Sequence, residues 1–527
     1  MKPGHIFIVF SSIVWIFFIN KFLCPLYYSD DDVLMLYRLS GADGFLPTSI
    51  THFNYGWHFI FSFLTKNLFL LYPKWNWYSF ILVSLNFISI IVIGFLFLNR
   101  TGIMKGLFIH FIYLLLITPE ILLKLNITST SLHLGLSGMF MLYSIKGVSK
   151  NFKVVIVPFF LLVFSGILRL HMCGLVILLF LLYILICNVD ILKKIISTLF
   201  FALLTLGLLY IMHVDYCKKN IPQWRIKEDY RQSVYDIINK PSIEKKPILN
   251  DYYINDFIDN GIIFDTNYVS IYKINHVIRQ SNFRYRNPFD LKNIPVYYWT
   301  IKNNLYFTPI LFLLLLLLFM ADRIIFRKYL FGIFTMILIF FFFFIFFKLT
   351  AQIVFSIIVV TLLVLFCQIN VSNTDFHFTK SNTITSVLIT IISIAWGVRV
   401  MFSTHQINHN ISAHLRAQLK EINEHPSCLF ILTKNSVDLG KYPLWQIPTS
   451  LPMRNALDIY RQLLFNTTDI LNRFYLDSDF KKNDFNSRVV FVAGSSSSFL
   501  KKMYPSLDFT NPLSEFKTME VRRIINH

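Results

Sequence analysis

The chain has 527 residues, 55% hydrophobic and only 15% charged, with a mean hydropathy of +0.56. Soluble domains carry roughly 25% charged residues, so the balance excludes an ordinary cytosolic enzyme, as well as a coiled coil, a collagen or a disulfide scaffold. The net charge of +20 would suit nucleic acid in a soluble protein; here it reflects basic residues placed around membrane helices, and no nucleic-acid partner is expected.

Lys2 and the apolar run after it resemble a signal peptide, but no small-x-small cleavage site follows, so this stretch reads as a retained first helix, 5–22. A first loop, 23–77, comes next. Within it Trp57–Tyr72 is apolar but broken by Lys66 and Asn67, and it runs into Trp75, Trp77 and Tyr78. It therefore reads as an interfacial or re-entrant helix. Further helices are expected at 78–98, 106–118, 131–145, 154–169, 172–188 and 195–212. A large loop at 213–302 is rich in Tyr, Asn, Asp and Lys. Helices 303–320, 329–347, 351–371 and 385–402 follow, making about eleven spans. The tail, 403–527, alternates candidate strands (Cys428–Thr433, Val489–Ala493) with a helix near Ala456–Tyr475, and reads as a small extracytoplasmic α/β domain. Residues 1–402 form the membrane domain. The six cysteines show no metal-ligand spacing, although Cys217 and Cys428 fall on the same side and are one pair that could bridge.

With Met1 inside, the inner connections gather Lys2, Arg100, Lys105, Lys146, Lys150, Lys153, Lys193, Lys194, Arg323, Arg327, Lys328 and Lys380 against Asp190, Asp322 and Asp375. That is the positive-inside pattern, with the amino terminus in the cytoplasm and the carboxyl terminus outside. Counting Trp57–Tyr72 as a span would move Arg100 and Lys105 outside and destroy the pattern.

The strongest chemical signal is Tyr27-Tyr28-Ser29-Asp30-Asp31-Asp32, just past the first helix on the outer side. Three adjacent carboxylates repel, so at least one has its pKa raised unless a cation or proton is shared. A carboxylate so tuned can act as a general base, or two of them, Asp31 and Asp32, can hold a divalent cation such as Mg or Mn. The structural alternative is that Ser29 caps a helix starting at Asp30, whose acids suit the macrodipole.

A first helix, an outer loop opening on an acidic cluster and then interfacial helices resembles the GT-C superfamily of membrane glycosyltransferases. The resemblance covers the order of segments over 1–400, and its specific motif is the Asp pair offered by Asp30, Asp31 and Asp32. It implies an α-helical polytopic fold and an enzyme of the hexosyl- or pentosyltransferase class that takes a sugar from a polyprenyl-phosphate carrier. A first-loop Asp would be the general base on a glycan or lipid-linked acceptor, and the site would face outward from a bacterial inner membrane. Such a donor needs cations at the headgroup level. Arg169, His171, Lys124 and Lys348 fall there. Arg169 lies between two apolar runs, where it serves phosphate, snorkels at a helix end or pairs with an Asp of the first loop. Glu120 either assists the site or pairs with Lys124 at i,i+4. His52 and His58 flank Asn54–Trp57 and either contact the acceptor or a metal, or pack at the interface. Apart from that cation no cofactor is expected, and membrane lipid is the remaining partner.

Three other readings compete. A polymerase or ligase acting on lipid-diphosphate oligosaccharides also carries large outer loops and arginines, but needs no acidic cluster here. A transporter or flippase would show mid-membrane ionisable residues and helix repeats, whereas these charges collect at helix ends and no repeat is visible. A non-catalytic scaffold would tolerate loss of the aspartates.

Overall fold

Long apolar stretches fold as helices in a membrane because a helix satisfies its backbone polar groups without water. The computed structural model describes residues 3–49, 57–144, 152–187, 189–221, 224–225, 229, 330, 333–334, 336–339, 351–368, 380–432, 437, 439–458, 489–492, 507–509 and 513–526. It is mostly helical: α1 (Pro3–Phe22), α2 (Asp30–Ser40), α3 (Phe59–Leu71), α4 (Trp77–Thr101), α5 (Ile103–Leu116), α6 (Thr118–Leu122), α7 (Ile127–Ser144), α8 (Phe152–Cys187), α9 (Val189–Asn220), α10 (Ala351–Gln368) and α11 (Lys380–Glu424). The protein is an integral membrane protein: four described stretches, Pro3–Phe22, Trp77–Thr101, Val155–Leu182 and Ile195–Asn220, are long and apolar enough to cross a bilayer. At 13 residues α3 is about 20 Å long, short of the hydrocarbon thickness, in keeping with an interfacial element.

The third of those stretches is not one straight rod. Arg169 has extended backbone (φ −158°, ψ 99°), and Cys173 Sγ lies 3.4 Å from the Leu162 carbonyl oxygen. Eleven residues of straight helix would separate those positions by about 16 Å, so the chain doubles back at Arg169. Two helices meeting there agree with the expected 154–169 and 172–188.

Helix α7 is the hub of the bundle and is buried along nearly its whole length. Its Ser, Thr and Gly residues form the seam with α8: Ser131 Oγ donates to the Ser165 carbonyl (2.8 Å), and Ser165 Oγ returns a bond to the Ser131 carbonyl (2.7 Å). Small and hydroxyl residues suit such contacts, since they let backbones approach and bring their own hydrogen bonds. Helices α4 and α7 run the same way. Both start beside Asp32, and at their far ends Arg100 donates to Ser144 Oγ and the Tyr143 carbonyl (both 3.1 Å). Basic Arg100 thus sits at the opposite end of the bundle from the acidic cluster.

Three expectations change. Helix α11 continues through residue 403, where the tail was to begin, to Glu424, because Leu415, Leu419 and Ile422 recur at helical spacing and are fully buried. Residues Ala456–Asp458 form a strand rather than the start of a helix. Cys217 and Cys428 are free thiols. The expected helix 303–320, most of 329–347, the large loop beyond Asp229, and His52 and Lys348 lie outside the described residues.

A five-stranded sheet, in spatial order Ala456–Asp458, Leu429–Leu432, Val489–Val492, Val521–Asn526 and Leu507–Phe509, follows α11. The first three strands are parallel, and Val521–Asn526 is antiparallel to both its neighbours. Leu429–Leu432 is buried at every position, which explains its uninterrupted apolar run. The sheet and the first loop share one hydrophobic core: Val33, Leu36 and Tyr37 of α2 belong with Phe430, Tyr442, Val490 and Val521 of the tail. Backbone bonds stitch the two together, from Tyr27 N–H to the Tyr442 carbonyl, Leu444 N–H to Pro25 and Met453 N–H to Ala42.

Candidate active site

The acidic motif begins a helix. Ser29, in extended conformation, accepts the Asp31 N–H on its Oγ (3.1 Å), so the capping alternative is realised, and Gly41 ends α2 in the left-handed region (φ 73°). The helix start is fixed in space by a two-stranded parallel pairing, Leu26–Tyr27 with Lys124–Leu125, extended by Tyr28 N–H donating to the Leu125 carbonyl.

Within this frame the adjacent aspartates have opposite surroundings. Asp32 is buried, and its Oδ1 accepts from the Tyr78 hydroxyl (2.6 Å) at the start of α4 and from Ile127 N–H (3.1 Å) at the start of α7. Burial pushes its pKa up to about 7; the two hydrogen bonds oppose this, Asp31 adds to it and Arg169 opposes it. Asp31 is open to solvent yet ringed by enough protein that burial raises its pKa, with Arg169 opposing. Asp32 therefore clamps three helices, while Asp31 offers a carboxyl of raised pKa to whatever enters. Asp30 supplies the first residue of α2.

Arg169 reaches this acidic pair from the turn in α8. That turn is held by Ser131 Oγ, whose one proton is shared between the Ser165 carbonyl (2.8 Å) and the Arg169 carbonyl (3.2 Å), and the guanidinium Nη1 donates to Thr128 Oγ1 (2.8 Å). It is half-buried, and its charge is felt by both Asp31 and Asp32. The fold thus brings Arg169 to the acidic pair.

Lys124 and Glu120 are close by and committed to each other, with Nζ 3.0 and 3.2 Å from the two carboxylate oxygens. Burial raises the Glu120 pKa and Lys124 opposes it. The Lys124 ammonium also stands 5.7 Å from the centre of the Tyr28 ring. His58 is spent on structure: its Nδ1 caps α3 by accepting Ile60 N–H (3.2 Å), and Nε2 donates to the Leu209 carbonyl (2.8 Å). Burial lowers its pKa, which keeps the capping nitrogen unprotonated. His171 lies on the other side of the Arg169 turn from Leu168 along the chain. With His58, His213, Trp57 and Tyr210 it lines a concavity of about 450 Å³, including space open to solvent, on the flank of the Arg169 turn.

Sequence reasoning missed Tyr78 and Thr128, the partners of Asp32 and Arg169. It also missed the tail's share: Lys441 faces the Tyr28 ring from 5.7 Å, and Tyr442 packs on Tyr27 and Tyr37. No local pattern announces such long-range pairings, although Tyr78 at a helix start beside an interfacial Trp cluster was a signal of position.

Among the described residues no three His, Cys, Asp or Glu side chains gather as a donor set, and Asp32 Oδ1 already accepts two hydrogen bonds.

No family model and no curated protein matches the chain. Among solved structures the chain resembles ArnT from Cupriavidus metallidurans in two crystal structures. The apo state matches with TM-score 0.54 at 10% identity, and the form bound to undecaprenyl phosphate with TM-score 0.53 at 11% identity. Each match covers 99% of this chain and 98% of ArnT. The chain accordingly shares its fold with these two structures.

Proposed function

We propose, from the GT-C fold and the placing of Arg169 where its charge acts on Asp31, that the protein is a membrane glycosyltransferase. It moves a hexosyl or pentosyl group from a polyprenyl-phosphate carrier to a glycan or lipid-linked acceptor on the extracytoplasmic face of a bacterial inner membrane. The carrier reading draws on ArnT, whose structure of the same fold binds undecaprenyl phosphate.

Asp31 carries the chemistry. Its carboxylate takes the proton of the acceptor hydroxyl as that oxygen attacks the anomeric carbon; the bond from that carbon to the phosphate oxygen breaks, and the configuration inverts. A general base in such a position contributes about 10²–10⁴ in rate. Asp32 positions it through Tyr78 and Ile127. Arg169 neutralises charge on the departing phosphate, a role suited to its planar fork of donors. Lys124, Lys348 and His171 stand in reserve for the same anion, with Lys124 balanced by Glu120.

The observation that carries this reading is the open Asp31 beside Arg169 on a helix start locked by Asp32. Native mass spectrometry of protein extracted gently from its own membrane tests it. A co-purified polyprenyl phosphate bearing one sugar is the expected result. A diphosphate-linked oligosaccharide would favour a polymerase or ligase, and phospholipid alone would return transport or scaffolding to the front.

A further inference from the structure

The cations around the acidic cluster are not equally available. Lys124 gives its ammonium to both oxygens of Glu120, and Arg169 is shared between Asp31, Asp32 and Thr128. Lys441 differs: among the described residues no carboxylate pairs with it, and its one described partner is the Tyr28 ring, 5.7 Å from the ammonium. The same ring is approached by Lys124 at the same distance. The cation–π contact returns only about 0.5–1 kcal/mol at a partly open position, so the ring does not balance the Lys441 charge as Glu120 balances that of Lys124. An anion beside the ring would balance it.

The position of Lys441 is built rather than incidental. It closes the short 3₁₀ turn Leu439–Lys441. The next residue, Tyr442, is fully buried, accepts the Tyr27 N–H on its carbonyl and packs its ring against Tyr27 and Tyr37. The chain then continues to Leu444, whose N–H donates to the Pro25 carbonyl. Lys441 is thereby locked to the strand that leads into Ser29 and Asp31. Two residues separate Tyr28 from Asp31, a span of at most about 10 Å.

We propose that Lys441 and Lys124, set against Tyr28, form a phosphate seat beside Asp31, in which the tail of the chain supplies the uncompensated cation that holds the carrier's phosphate. The inference rests on the glycosyltransferase reading and deepens it, because it makes the tail part of the substrate site. Lys441 binds substrate and does not take part in proton transfer.

The test uses the full-length protein in lipid nanodiscs, titrated with undecaprenyl phosphate and, separately, with undecaprenol, which lacks the phosphate. Bound fractions are read by native mass spectrometry. Lys441→Met is expected to weaken undecaprenyl phosphate binding about tenfold, the loss of one charge-assisted contact, and to leave undecaprenol binding unchanged. Lys441→Arg keeps the charge and is expected to retain binding within about threefold. Lys441→Gln provides a second neutral variant should Lys441→Met melt early. If the wild type prefers the phosphate but the neutral variants bind as it does, the seat is wrong and the transferase reading stands. Equal loss in the Arg and Met variants also overturns it, because charge would not be what matters. A wild type with no preference for undecaprenyl phosphate over undecaprenol overturns the donor reading, and this inference with it.

Discussion

Replacing Asp32 with alanine removes the acceptor of two buried donors, the Tyr78 hydroxyl at 2.6 Å and the Ile127 amide at 3.1 Å. Each buried donor left unpaired costs about 1–3 kcal/mol, so the variant is expected to lose about 2–6 kcal/mol, a large share of a typical 5–15 kcal/mol. Asp32→Asn keeps a carbonyl acceptor in place and, below about pH 4 where the wild-type carboxyl is protonated, is expected to stay within about 1 kcal/mol of the wild type. Asp31→Asn gives up no buried contact, so its stability change is expected within about 0.5 kcal/mol, while sugar transfer falls about 10²–10⁴-fold. Thermal unfolding in detergent, followed by tryptophan fluorescence and run beside a transfer assay, separates the two. Equal melting of Asp32→Ala and Asp31→Asn would refute the division of labour between anchor and base.

Because burial raises the Asp31 pKa, transfer is expected to rise with pH through a midpoint above the ordinary carboxylate range; a limb near pH 4 in the rate profile would count against Asp31 as the base. The Asp32 carboxyl, raised in the folded protein to about 7, holds a proton that the unfolded chain has released. Its contribution to stability is therefore full below about pH 4 and lost as pH rises toward 7, and Asp32→Asn removes that slope in pH-dependent melting. Arg169→Gln takes away the charge that holds both aspartates down, so the acid limb moves to higher pH and transfer drops about 10²-fold, with Arg169→Lys falling between; an unmoved limb would show that Arg169 does not act on the base. A methyl group at Gly106 would come within 2.7 Å of the Leu98 Cα, a backbone atom that no side-chain rotation relieves. Gly106→Ala is expected to cost about 1–3 kcal/mol in the α4–α5 packing, read as a lower melting temperature.

Hydropathy alone located the four described stretches that are long and apolar enough to cross a bilayer, because apolar runs of that length leave the backbone few choices. The end of α11 escaped it for a physical reason. Beyond residue 403 the helix is polar on average, and only the buried period of Leu415, Leu419 and Ile422 carries it to Glu424. The strand Ala456–Asp458 was misread as a helix start, since three residues show no period and it is its parallel pairing with Phe430–Leu432 that sets its form. At the site, the acidic motif was legible because three successive carboxylates are costly, and Arg169 because a cation between apolar runs is costly too. Their partners were not legible. Tyr78 and Thr128 are ordinary residues until the fold brings them to Asp32 and Arg169, and Lys441 lies more than 400 residues from Tyr28 along the chain.

The central claim is that Asp31 activates an acceptor for attack on a lipid-linked sugar. Its most direct test supplies sugar-labelled polyprenyl phosphate to host membranes containing either the wild type or Asp31→Asn, and follows the label. The account predicts that the wild type moves the label from carrier to a membrane acceptor with inverted configuration, while Asp31→Asn binds the carrier and leaves it charged. Transfer by Asp31→Asn at the wild-type rate would contradict it.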